Sequence, residues 1–176
     1  MSSYRNRAAR LCAPALCTVV LLAVPGCGFR PLYGNDSASH QPGAAAQMAA
    51  VEIPVLPDRI GQQLRNMLID QMHGSGPAGQ YLYKLNVVLR ETAVELGLQP
   101  NSTSTRAQIR IAAEYWLTES PGGKTLLHER LRSSADYNVL VNQFGTVLAN
   151  EDARERALQQ IADELTQHLA VYFAAR

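Results

Sequence analysis

Cysteine is nearly missing from this chain. The 176 residues hold three, Cys12, Cys17 and Cys27, and none follows Cys27. Beyond that point there is no disulfide, no thiol nucleophile and no cysteine metal site, so the fold has to rest on its core. The histidines His40, His73, His128 and His168 are scattered without metal-ligand spacing. A surplus of one charge is also lacking. Sixteen Lys and Arg against fifteen acids leave a formal net charge of +1. Bulk charge therefore gives no case for nucleic acid, and any anion binding rests on local patterning. The longest uncharged apolar run, Leu11 to Val24, falls short of the roughly 20 residues a spanning helix needs and is interrupted by Pro14. HGSGPAG, from His73 to Gly79, lacks the full G-x-S-x-G pattern, and no strand runs directly into it. Gly122-Gly123-Lys124 lacks the spacing and the Ser/Thr of a phosphate loop. No enzyme, cofactor or metal is expected.

What is present begins at the N-terminus. MSSYRNRAAR carries Arg5, Arg7 and Arg10 and no acid, and the short apolar run follows it. A basic start, a short apolar stretch and small residues near a cut site make an export signal. Val24-Pro25-Gly26-Cys27 resembles the bacterial lipobox, with Pro25 the less usual residue at −2. In lipoproteins of this kind the cysteine sulfur takes a diacylglyceryl group, the leader is cut before it and the new amino group is acylated. Each buried methylene contributes about 0.8 kcal/mol, so several chains hold firmly where one holds weakly. Residues 1–26 read as a lipoprotein signal peptide and Cys27 as the membrane anchor. Gly28 follows the cysteine where an inner-membrane lipoprotein of enterobacterial type has aspartate, which points to the outer membrane. The sequon Asn101-Ser102-Thr103 then has no meaning in a bacterium.

The remaining chain suits one domain. Without the three signal arginines it carries thirteen cations against fifteen acids. Residues 27–50 read as a lipidated start and a flexible tether, because NDSASHQPGAAAQMAA is small, polar and aperiodic. Residues 51–176 read as a single α+β domain. VEIPVLP, from Val51 to Pro57, is a short strand that Pro54 confines to a sheet edge or a bulge. Ile60, Leu64, Met67, Leu68 and Met72 form one helical stripe, with Asp58 a capping candidate and Gly74 a stop. Three long strands follow, over 81–96, 105–120 and 125–140, joined by turn-rich segments that imply an antiparallel meander. Leu158, Ile161, Leu165, Leu169 and Tyr172 stripe a closing helix with Asn150 as its N-cap. The segment 138–149 fits either a strand extension or a loop. The order β-α-β-β-β-α predicts a two-layer α+β sandwich, its largely antiparallel sheet carrying two amphipathic helices on one face.

On the outward parity of the three strands lie Lys84 and Arg90, then Arg106 and Arg110, then His128, Arg130 and Arg132. The acids there are Glu114 and Asp136, and Trp116 shares the parity. Arginine forks match phosphate and carboxylate, so Lys84, Arg90, Arg106, Arg110, Arg130 and Arg132 form a candidate polyanion-binding face. The other reading is a solvated surface, since cations alternate with apolar residues in any half-exposed strand. The strands and tyrosines share an outline with RNA-binding sheets, but the element order differs, and Tyr81 and Tyr83 fall on the apolar parity.

CGFRPLYG, from Cys27 to Gly34, resembles the start of mature lipopolysaccharide-assembly lipoproteins of the LptE family, especially those of alphaproteobacteria. The element order, the tether and the long closing helix are similar to that family across the chain after residue 26. The resemblance implies a lipid-anchored protein on the periplasmic side of the outer membrane of a Gram-negative cell. It implies a plug within the LptD-type β-barrel that inserts lipopolysaccharide into the outer leaflet, a role in that barrel's assembly, and binding of lipopolysaccharide. Barrel, glycolipid and the membrane held through Cys27 are thus the expected partners, with no nucleic acid. The alternative is a free-standing periplasm-facing lipoprotein that acts as a binding or scaffold module.

Overall fold

The computed structural model describes residues 43–74, 76, 79–98 and 104–176. The signal segment, Cys27, the CGFRPLYG motif and the sequon at 101–103 lie outside the described residues. The elements are α1 (Ala44–Ala49), β1 (Val51–Glu52), α2 (Asp58–Met72), β2 (Tyr83–Leu98), β3 (Ser104–Glu119), β4 (Thr125–Asn138) and α3 (Gln143–Ala174). The sheet order is β1-β2-β3-β4, with β1 parallel to β2 and the other pairs antiparallel. The expected α+β meander is the architecture found.

Strict alternation explains the central strand. Ala107, Ile109, Ile111, Ala113, Tyr115 and Leu117 of β3 are buried on one face. Leu85 and Val87 of β2 and Leu131 of β4 join them. The long helix α3 closes this face with Leu158, Ile161, Leu165 and Leu169, all fully buried. Leu64, Leu68 and Met72 carry the apolar side of α2 into the same core. Among the described residues, no helix packs on the opposite face. The turn between β3 and β4 places Gly122 and Gly123 at φ 131° and 69°, which L side chains rarely adopt. Among the described residues, no helix is long and apolar enough to cross a membrane.

Four local readings change. Ala44–Ala49, placed in the tether by composition, is helical and buries Ala44 and Met48 one turn apart. Only Val51 and Glu52 of VEIPVLP pair, with Tyr83 and Lys84, because Pro54 and Pro57 bring no backbone donor to a ladder. Asp58 does not cap α2. It is the first helical residue, at φ 63°, and Pro57 stands at the cap without a side-chain bond. The closing helix is capped by Asn142 rather than Asn150: the Asn142 side chain accepts a hydrogen bond from the Phe144 amide, and α3 runs for 32 residues. The stretch 138–149 thus divides among a strand end, a tight corner and the first turns of this helix.

Candidate functional site

The open face of the sheet collects the six predicted cations, and the strand register decides which of them meet. Arg90 on β2 and Arg132 on β4 both stand opposite Ala112 on β3. Arg110, two residues before Ala112 on the same face, stands opposite Thr92 and Ser134. Strand spacing and rise set the three arginine Cα atoms roughly 7 to 10 Å apart, in a triangle about a small side chain. Because Ala112 leaves the centre low, an open depression of about 650 Å³ forms there. Its wall includes Arg90, Thr92, Arg110, Ala112, Arg132 and Ser134, and it reaches past the β4 edge to Gln160.

These three arginines are exposed, and no acid neutralises them among the described residues. Arg110 is oriented by its neighbours: its Nε donates to Gln108 Oε1 at 2.6 Å, and Gln108 Nε2 donates to Asp136 Oδ1 at 2.7 Å. That chain engages the guanidinium through Nε, and the two terminal amino groups are the fork that suits phosphate oxygens.

The other three cations differ in their surroundings. Arg130 Nη2 donates to Glu114 Oε2 at 3.2 Å, and His128 Nε2 lies 3.0 Å from Glu114 Oε1. These hydrogen bonds, His128 first and Arg130 second, hold the Glu114 carboxyl below its usual range. Trp116 meets the His128 ring edge-on at 6.0 Å. Lys84 lies at the β1 end of the face, where its carbonyl accepts from the Thr118 hydroxyl. Arg106, opposite Asn138 at the other end, is engaged in an interaction of its own. The candidate site narrows to the cluster of Arg90, Arg110 and Arg132, with Arg130 beside Arg90 and Arg132 in an adjoining depression of about 320 Å³. Ala112 and Gln108 escaped a reading based on charge; a small residue between two outward arginines is their signal, visible once the register is known. Cys27 lies outside the described residues. Among those residues no group of His, Cys, Asp and Glu could hold a metal ion.

An open helix-backed sheet with a cationic centre is a shape that comparison can place. Residues 46–170 match the profile of the family described as Lipopolysaccharide-assembly, LptE. The chain belongs to the LptE family. Members act in lipopolysaccharide assembly and are not enzymes. No curated protein sequence matches the chain significantly. Solved structures share its fold. A protein of Caulobacter crescentus CB15, provisionally classed as a lipoprotein, is 19% identical with a TM-score of 0.63, over 76% of this chain and 97% of that one. Lipoprotein B of Nitrosomonas europaea is 12% identical with a TM-score of 0.55, over 71% of this chain and 83% of that one. Rare lipoprotein B of Shewanella oneidensis is 13% identical with a TM-score of 0.53, over 69% and 92%. At such identities the LptE fold is shared while side chains are not, so the arginine cluster stands on this chain's own geometry.

Proposed function

We propose that this LptE-family chain is an outer-membrane lipoprotein whose residues 1–26 leave as a signal peptide and whose Cys27 carries the acyl anchor. It plugs the LptD-type β-barrel that inserts lipopolysaccharide, assists assembly of that barrel, and binds lipopolysaccharide phosphates at Arg90, Arg110 and Arg132. The observation that carries the binding reading is the cluster itself: three arginines on three strands around Ala112, none in a salt bridge among the described residues, with the adjacent Glu114 taken up by His128 and Arg130. Exposed like charges repel, and their gathering here favours a bound anion. Arginine suits a phosphate because its fork offers two parallel bonds to one group.

The test is affinity purification of the full-length, C-terminally tagged chain from outer membranes in mild detergent. Stoichiometric recovery of one large β-barrel protein with lipopolysaccharide is the expected result. Recovery of the lipoprotein alone would favour the free-standing module and return the arginines to being a solvated surface.

A further inference from the structure

The depression about Ala112 is one section of a longer groove. It shares Arg90, Ala112 and Arg132 with the adjoining depression that takes in Val88, Glu114 and Arg130. On its other side it shares Ser134 and Gln160 with a further depression of about 450 Å³, which takes in Gln108, Asp136 and Arg156. The sections are therefore continuous. The groove follows β3 from Gln108 to Glu114, roughly 20 Å at the rise of a strand.

Its chemistry changes along this length. Cations occupy one end and the centre, from Arg130 to Arg110. Past Arg110 the wall is rich in uncharged donors and acceptors. Thr92 and Ser134 are exposed, and their hydroxyls have no hydrogen-bond partner among the described residues. Gln160, on α3, joins the wall from beyond the β4 edge. Its Oε1 accepts from the Ser133 hydroxyl at 2.9 Å, and among the described residues nothing takes its amide nitrogen. The far end is not cationic in the same way: Arg156 pairs with Asp152 at 3.0 Å and donates to the Asp136 carbonyl at 3.3 Å, beside the Asp136 carboxylate. Apolar surface is scarce, with Val88 the exposed large apolar side chain of the wall. No aromatic ring lines any of these depressions among the described residues.

We propose that the groove takes a phosphorylated oligosaccharide and makes no use of acyl chains. A phosphate sits on Arg90, Arg110 and Arg132, and uncharged sugar units run along Thr92, Ser134 and Gln160. The inference rests on the phosphate-binding reading above and names the part of the glycolipid that is recognised. Arginine forks supply the phosphate contacts. Sugar hydroxyls both donate and accept, and Ser, Thr and Gln side chains answer them in kind. The Asp136 carboxylate accepts from a hydroxyl but repels a second phosphate, which sets the direction in which the saccharide lies. Other occupants match only part of the wall. A lone phosphate fills the centre and leaves the rest empty. An acyl chain needs an apolar trough, and Val88 alone does not make one. Single-stranded nucleic acid needs rings on which its bases stack.

The test is a set of binding titrations of the full-length chain in mild detergent. The probes are intact lipopolysaccharide, its saccharide freed of acyl chains with phosphates kept, inorganic phosphate, and phosphatidylglycerol in the same detergent. The freed saccharide should bind within about three-fold of intact lipopolysaccharide and about ten-fold or more tighter than inorganic phosphate or phosphatidylglycerol. Ser134→Ile puts a branched side chain, at home in an exposed strand, into the middle of the groove. It should lower affinity for the saccharide about ten-fold at an unchanged melting temperature. Three outcomes would overturn the inference and leave the phosphate reading intact, provided that R110E/R132E still weakens binding of the intact glycolipid. These are loss of binding once the acyl chains are removed, equal affinity for phosphatidylglycerol or inorganic phosphate, and a folded Ser134→Ile variant that binds the saccharide as the wild type does. If the wild type holds neither the intact glycolipid nor its saccharide, both readings fall together.

Discussion

Two halves of one sheet face follow the same alternation and end in different electrostatic states. Near the β1 end, Glu114 takes hydrogen bonds from both His128 and Arg130, so cation and acid offset each other. A few residues along, Arg90, Arg110 and Arg132 surround Ala112 and form no salt bridge among the described residues, the neighbouring Glu114 being engaged by Arg130 and His128. The first half needs nothing beyond water. The second forms no salt bridge among the described residues, and that is the feature on which the proposed anion binding rests. Composition cannot teach this, because a near-neutral chain contains both halves; pairing register does.

The largest effect should come from erasing that difference. Arg110→Glu with Arg132→Glu replaces two charge-assisted contacts by repulsion, and affinity for lipopolysaccharide should fall about a hundred-fold, with an unchanged melting temperature as the control for folding. Placing one acid at the centre, Ala112→Glu, should act alike but more weakly, by about ten-fold in the same binding titration.

A contrast in the opposite sense comes from the covered face. Arg154 forks onto Glu91 at 2.8 and 2.9 Å, mostly shielded from water. Arg154→Ala should cost about 2 kcal/mol of stability, read as a melting temperature lower by about 4 to 8 °C, with lipopolysaccharide affinity untouched. Loss of binding in this variant at temperatures where it is folded would mean that the two faces are coupled.

The smallest effect sharpens the comparison from the neutral side. Glu114→Gln should release Arg130 and His128 and raise affinity by about two- to five-fold. The pH dependence has a definite sign. The folded-state value of Glu114 is lowered, so its pairing contributes above the ordinary carboxylate value and is lost as pH falls through the lowered one. The stability difference between wild type and Glu114→Gln should therefore vanish in acid; a difference that persists there would refute the pairing.

Much of this was legible in the residues. The alternation of Ile109, Ile111, Ala113, Tyr115 and Leu117 fixed both the strand and its buried face, and the stripe of Leu158, Ile161, Leu165 and Leu169 fixed the closing helix. The outward arginines were legible for the same reason. Their grouping was not, because neighbours across strands depend on which residue faces Ala112, and that depends on turn lengths that a single sequence leaves open. The start of α3 was misplaced because Asn150 and Asn142 are equally good caps by type, and only the Leu140–Thr146 bonds and the Asn142 cap itself favour the earlier one. The helix at Ala44–Ala49 was hidden because an alanine-rich stretch reads as a linker until Met48 is seen to enter the core.

The most direct test of the arginine cluster is a binding titration of the wild-type protein and the R110E/R132E variant against lipopolysaccharide with its phosphates intact and with its phosphates removed. The account predicts that the wild type prefers the phosphorylated form by about ten-fold or more and that the variant loses this preference while staying folded. Equal discrimination by both proteins would contradict it, and the three arginines would then be a solvated surface like the half of the face beside them.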